Sequence, residues 1–141
     1  MTATFCAGTL LAGVASADPA PDLAEAVASA RGHCGPLTVD PRVDRAADIV
    51  NQSTYDYVDH TARDVPADDP HPAAIVKDLG IEGAKTYALQ GAALDDADAI
   101  RGLLVQGFSV IPDCGYTSIG TSRLYEPESG FHLLVVVLVG P

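Results

Sequence analysis

Basic residues are scarce in this chain. Eight Lys and Arg stand against nineteen Asp and Glu, a formal net charge of −11 at pH 7. An acidic excess of that size repels phosphate backbones and anionic lipid surfaces. It excludes nucleic acid as a partner and adsorption to acidic membranes. Signatures of metal binding and nucleophilic catalysis are equally thin. Neither a Cys-x-x-Cys nor a His-x3-His spacing occurs, and zinc sites are commonly built from such pairs. The chain has no Gly-x-Ser-x-Gly elbow and no glycine-rich phosphate loop. Ser118-x-Gly120-x-Ser122 reads instead as the small, polar side of a strand. Internal repeats and low-complexity linkers are also missing.

What the chain does have is an apolar run near its end, Leu133-Leu134-Val135-Val136-Val137-Leu138-Val139. Seven residues are too few to span a bilayer. The run shows no alternation, and four of its residues are β-branched valines. This pattern predicts a central strand covered on both faces. Its hairpin partner is Gly115 to Leu124, joined through Glu126-Pro127-Glu128-Ser129-Gly130. A further strand is expected over Ala84 to Leu89, and His132 opens the final strand as an edge residue.

Helices supply the cover. Asp22 caps a first helix reaching Ala30. Asp40-Pro41 opens the longest one, with Asp at the N-cap and Pro at the first helical position. Val43, Ala46, Ala47, Val50, Thr54, Tyr57 and Val58 recur along it at helical spacing, and it ends near His60. Thr61 to Pro72 is a loop rich in Asp and Pro. His71 there, with Asp64, Asp68 and Asp69, offers oxygen ligands for a weak calcium site, but the spacing is not that of an EF-hand and reads as a solvated acidic loop. A short helix from Ala73 stops at Gly80, and a fourth starts at Asp95/Asp96 and stops at Gly107.

Residues 1–17 read as a secretory signal. Phe5 to Val14 is mostly apolar, and Ala15-Ser16-Ala17 before Asp18 fits a cleavage site. No Lys or Arg precedes Arg31, so the usual basic start is lacking, as it would be if the chain began inside a longer signal. Cys6 has no lipobox around it. Cleavage leaves Cys34 and Cys114, and an even pair in an exported domain predicts one disulfide rather than free thiols or a thiolate metal site. In that bond His33 has no thiol to modulate.

Cys34-Gly35-Pro36-Leu37-x-x-Asp40-Pro41, followed by a long helix carrying Ala46-Ala47, resembles the opening of actinobacterial CAP domains. This superfamily groups cysteine-rich secretory proteins, venom antigens and pathogenesis-related proteins. The likeness continues at His60-Thr61, over Ala73 to Gly80, and at Asp113-Cys114-x-Tyr116-Thr117-x-Ile119-Gly120, covering residues 22–141. It implies an α/β/α sandwich. It also implies a cleft lined by two His and two acidic residues that can hold a divalent cation. His60 matches the first His. The family's Ala-Glu-Asn-Ile stretch falls on Lys85-Thr86-Tyr87-Ala88, which puts Thr86 at an acidic position. The stretch bringing the second His falls near Gln106-Gly107-Phe108, where no His stands. One ligand of four does not make a zinc or magnesium site.

The sequence therefore predicts an α+β fold, a three-layer α/β/α sandwich with a small antiparallel sheet, in one domain over residues 18–141. The expected function is a secreted or cell-envelope binding module with no catalytic residue, metal or cofactor and no integral membrane segment after signal cleavage. Its partner would be an extracellular protein or an apolar small molecule. His60, Thr86, Tyr57 and Tyr87 are the expected binding residues, with Tyr55, Tyr116 and Tyr125 as further aromatics for an apolar pocket. Two alternatives remain open. One is a hydrolase using His60, which requires an acid or hydroxyl within reach of it. The other is a lipid or sterol carrier, a role the family sometimes has, which requires a continuous apolar cavity.

Overall fold

A computed structural model describes residues 22–63, 71–83 and 85–141. The predicted signal at 1–17 and the acidic positions 64–70 lie outside the described residues, as does Ala84. Among the described residues, four helices and four strands follow one another. Helix α1 spans Leu23–Ala30, and the Asp22 carboxylate accepts the Glu25 amide at 3.1 Å. Strand β1 is Thr38–Val39. Helix α2, Pro41–Val58, starts as its sequence predicts: Asp40 accepts the Arg42 amide at 2.9 Å and Pro41 fills the first turn. Helix α3 is Ala73–Asp78, closed by Gly80 at φ +69°. Strand β2 is Lys85–Ala93, helix α4 is Asp96–Gln106, β3 is Ser118–Glu126 and β4 is Phe131–Gly140.

The sheet order is β1-β3-β4-β2. The apolar run forms β4, held between two antiparallel neighbours, and every residue from Leu133 to Gly140 is buried. Its side chains divide by parity, as a strand's must. Leu134, Val136 and Leu138 join Leu23, Val27, Ile100 and Leu103 under α1 and α4. Val135, Val137 and Val139 join Val43, Ala46, Ala47 and Val76 under α2 and α3. The continuous apolar run is thus explained by two cores meeting on one strand. A Cys34–Cys114 disulfide ties the end of α1 to the approach to β3 across 80 residues of sequence.

The structure departs from the sequence reading at several points, one of them His132, which pairs with both Ala93 and Tyr125 in the central strand instead of standing at an edge. The sheet is mixed rather than purely antiparallel, because β1 pairs parallel with β3. Two exposed residues carry no periodic pattern from which a strand is readable. Strand β2 runs on to Ala93, beyond the expected end at Leu89. The extension is rich in small residues because α4 packs directly on it. A methyl at Gly91 would overlap the Ala99 carbonyl oxygen. Strand β3 begins at Ser118 rather than Gly115, since Asp113 to Tyr116 close a turn through Tyr116 N–H donating to the Asp113 carbonyl at 3.2 Å. Tyr57, placed on the inward stripe of α2 by its spacing, is 50 % exposed because the last turn of α2 runs past the described core.

Arg31 is buried, 3 % exposed, just after α1. Its guanidinium donates to the carbonyls of Gly35, Ile111 and Tyr116 at 3.1 to 3.3 Å. It satisfies three acceptors around the disulfide corner, a role that nothing in the local pattern announces.

Candidate ligand-binding cleft

The four expected binding residues do not share one place. His60 follows the α2 C-cap Asp59 with φ 59°, and its N–H donates to the Tyr57 carbonyl at 3.2 Å. Thr61 N–H reaches the Asp56 carbonyl at 2.9 Å. These two bonds form a Schellman closure with His60 in the left-handed position that Gly usually takes. The His60 side chain is exposed and hydrogen-bonds to no described residue. Thr86 lies opposite Val139 at one end of the sheet, whereas Asn51 of α2 already reaches the Leu133 carbonyl. That difference along β4 is about 20 Å, and α2 carries His60 and Tyr57 further away still.

Thr86 and Tyr87 do meet a histidine, but it is His71. Its Nδ1 lies 2.9 Å from the Thr86 carbonyl oxygen, and its ring stands edge-on to Tyr87 with centroids 5.2 Å apart. A carbonyl only accepts, so Nδ1 carries the proton, and in the neutral ring the lone pair is on Nε2. The contact is to the Thr86 backbone. The sequence treated His71 as part of an acidic loop, and the residues of that loop from Asp64 to Pro70 lie outside the described ones.

His71 stands at the edge of a cleft of about 530 Å³ between α2 and α3. Ile49, Val50, Ser53 and Thr54 form the α2 wall. Pro72, Ala73, Ala74 and Ile75 form the α3 wall, with Gln90 of β2 at the floor. Mostly apolar walls with a few convergent polar groups are the usual make-up of a small-molecule site. A larger groove of about 680 Å³ runs along the other flank of α2. Its walls carry Arg45 and Arg63 against Asp48 and Asp56, and the Asp56 carboxylate accepts from Gln52 at 2.8 Å. That balanced, solvated surface offers little to an apolar molecule.

Behind the α2–α3 cleft lies a recess of about 170 Å³ that shares Thr54 and Gln90 with it. Gln90 is held through its backbone, whose N–H donates to the Gln106 Oε1 at 2.7 Å, while its own Oε1 is 3.4 Å from the Thr54 hydroxyl. Asn51, 1 % exposed, also lines this recess. Its Nδ2 donates to the Leu133 carbonyl at 2.9 Å and to the Ser122 hydroxyl at 3.2 Å. The spacing along α2 carries a signal for Asn51. Position 51 is four residues after Ala47 and three before Thr54, which places an amide on the inward stripe of α2.

Away from the cleft, Glu126 is fully buried at the start of the hairpin turn. Its carboxylate accepts the Glu128 and Ser129 amides at 2.8 and 2.7 Å. A hydrogen bond from the Ser129 side chain is the main force holding its pKa below the usual carboxylate range, with these amides adding to it against the opposing effect of burial. Lys85 pairs with Asp113 and sits 4.7 Å from the centre of the Tyr116 ring. Bonding with Lys85 lowers the Asp113 pKa, and the Lys85 pKa is raised in return. Among the described residues, no group of three or more His, Cys, Asp or Glu side chains converges as a metal site would require. No helix among them is long and apolar enough to cross a membrane.

No protein-family model matches this chain, and no curated protein matches it in sequence. Its fold is nevertheless shared. An outer surface protein of Borrelia burgdorferi superposes with a TM-score of 0.65 at 13% identity, over 84% of this chain and 89% of that one. A cysteine-rich secretory protein of Staphylococcus aureus superposes with a TM-score of 0.57 at 12% identity, over 84% of this chain and 37% of its own. An extracellular protein of Bacillus anthracis containing an SCP domain gives 0.53 at 12%, over 84% and 39%. The chain matches little more than a third of the length of those two. The likeness is one of fold, and the fold is CAP-like.

Proposed function

We propose that this chain is an exported, CAP-like binding module that takes a small, largely apolar molecule in the cleft between α2 and α3 and does no chemistry on it. The observation that carries the reading is the cleft itself. It has about 530 Å³ of space and mostly aliphatic walls, with only His71, Ser53, Thr54 and Gln90 as polar lining among the described residues. Thr86 and Tyr87 then serve from behind by orienting His71 at the rim. His60 and Tyr57 belong to the end of α2. Export is supported by the Ala-x-Ala pattern before Asp18, by the disulfide, and by the extracellular or outer-surface descriptions of the proteins that share the fold. A small molecule is favoured over nucleic acid by the net charge of −11.

The test is a titration of the full chain with an uncharged apolar fluorescent probe, Nile red. Saturable binding is expected, and Ala74→Trp, which fills the cleft from its exposed wall, should weaken it at least tenfold with the thermal midpoint unchanged. An absence of binding, or equal affinity in the Ala74→Trp protein, would overturn the proposal.

A further inference from the structure

We infer that the end of the sheet beside the start of α4 is a second binding site, for a neutral sugar ring that lays its C–H face on Tyr125 and donates hydroxyl protons to the Asp96 carboxylate. It lies on the opposite face of the sheet from the α2–α3 cleft and does not depend on it.

The site follows from strand register. Arg123 pairs with Leu134, and Tyr125 with His132, across β3 and β4. Residues two apart on a strand share a face with their cross-strand partners, so these four side chains emerge together. Theirs is the face on which Leu134 joins the core under α1 and α4. The helices leave this end of it open. Tyr125 is 56 % exposed, and the Arg123 and His132 side chains are 35 % and 34 % exposed. Asp96, the first residue of α4, borders them with its side chain 18 % exposed. With Leu124 these residues line a cavity of about 350 Å³. Ligand sites run from roughly 300 to 1,000 Å³, so this one fits a small molecule.

The lining selects its chemistry. Arg123 Nη1 donates to both Asp96 oxygens at 2.6 Å, so the anion and the guanidinium of the site neutralise each other. An added ion would leave one charge without a partner, and a pure hydrocarbon would strip water from the pair and return no hydrogen bond. A carboxylate has about four lone-pair directions, and Arg123 takes one on each oxygen. Neighbouring hydroxyls of a sugar can donate to the others, and hydrogen bonds to an ionised acceptor are the strong ones. Tyr125 supplies the apolar half. Its ring leans on His132, with centroids 5.1 Å apart and planes tilted by 55°, and its open surface suits the C–H groups on one face of a six-membered ring. A pyranose carries both features, a ring of hydroxyls at its edge and an apolar face.

The experiment titrates the full chain with the methyl glycosides of glucose, galactose and mannose, followed by amide NMR. Two controls share the ring: tetrahydropyran, which lacks the hydroxyls, and methyl glucuronide, which adds a carboxylate. At least one glycoside is expected to bind tenfold or more tightly than either control, with the largest shifts at Asp96, Tyr125 and His132. Tyr125→Ala should weaken it at least tenfold. Tyr125→Phe, which keeps the ring, should retain most of the affinity, and Ala74→Trp in the cleft should change nothing. Should Tyr125→Ala fail to fold, the ranking of probes and the shift map in the unaltered protein decide the matter. Binding of no glycoside, equal binding of tetrahydropyran or the glucuronide, or shifts centred on Ile49, Ile75 and Gln90 overturns the sugar site. Nile red titration of the same samples reads the α2–α3 cleft separately, so either site can fail without the other.

Discussion

Glu126 shows how a single side chain can hold a turn together. It gathers the Ser129 hydroxyl and two backbone amides of the hairpin, and these bonds favour its charged form over the unfolded state's exposed carboxylate. Asp113 and Asp40 are lowered in the same direction, chiefly by Lys85 and Arg42. A carboxylate with a folded pKa below its unfolded one binds fewer protons when folded. Its stabilising contribution is therefore complete above the unfolded value, about 4, and drains away as pH falls through the folded value. Lys85 and Arg42 are raised, so their contributions are intact at neutral pH and are lost only above the ordinary lysine and arginine ranges. Urea midpoints should thus be nearly level from pH 7 to 5 and fall steadily below about pH 4.5. Glu126→Gln should lower the neutral midpoint and flatten that acid slope. An unchanged slope would remove Glu126 from the account. Residue roles were the least legible part of the sequence. His60 resembles a CAP position by order and spacing, and its backbone closes the helix that the sequence ends near it. His71 looked like a loop residue, but it packs on Tyr87. The His60 role is local, made by bonds to Tyr57 and Asp56, whereas the His71 role is set by Thr86 and Tyr87 on β2, which no pattern around position 71 reports.

Elements were more legible, because caps and periodicity are local. Asp22, Asp40 and Asp95 each accept amides at the helix starts they predicted, and Gly80 and Gly107 stand at the ends of α3 and α4. Strand limits were harder to read, since β2 and β1 take their extents from neighbours rather than from their own alternation. The seat of α2 on β3 illustrates the difference. Gly120 lies directly beneath the α2 backbone, and a methyl there would collide with Val43 and Asp44 main-chain atoms that cannot rotate away. Gly120→Ala should push α2 outward and cost about 1–3 kcal/mol, the usual range for overpacking. Chemical denaturation measures this directly, and a change under about 0.5 kcal/mol, the range of an indifferent surface substitution, would show that the contact is looser than described. The same shift would disturb the α2 wall of the cleft.

Across the whole molecule, the terminal run explains the architecture. A run apolar on every residue from Leu133 to Val139 needs cover on both faces, and the chain places α1 and α4 over one and α2 and α3 over the other. The disulfide spans the segment that contains α2, α3, β2 and α4. Closing a loop that long restricts the unfolded chain, with a chain-entropy value of up to roughly 4 kcal/mol. Replacing Cys34 and Cys114 together with Ser should lower the unfolding free energy by about 2–4 kcal/mol while leaving the circular dichroism spectrum of the folded state unchanged. A loss of under about 1 kcal/mol would mean that the unfolded state is already compact. The fold was thus readable from one apolar run and a few caps. The cleft was not, because it is a gap between α2 and α3, and sequence patterning reports what packs rather than what is left open.

The central claim is that the ligand lies between α2 and α3. The direct measurement is a backbone amide chemical-shift map of the isotopically labelled chain with and without Nile red. The account predicts that the largest shifts cluster at Ile49, Thr54, Ile75 and Gln90. Shifts centred instead on Arg45, Gln52 and Arg63, or on the end of α2 around Tyr57 and His60, would contradict it.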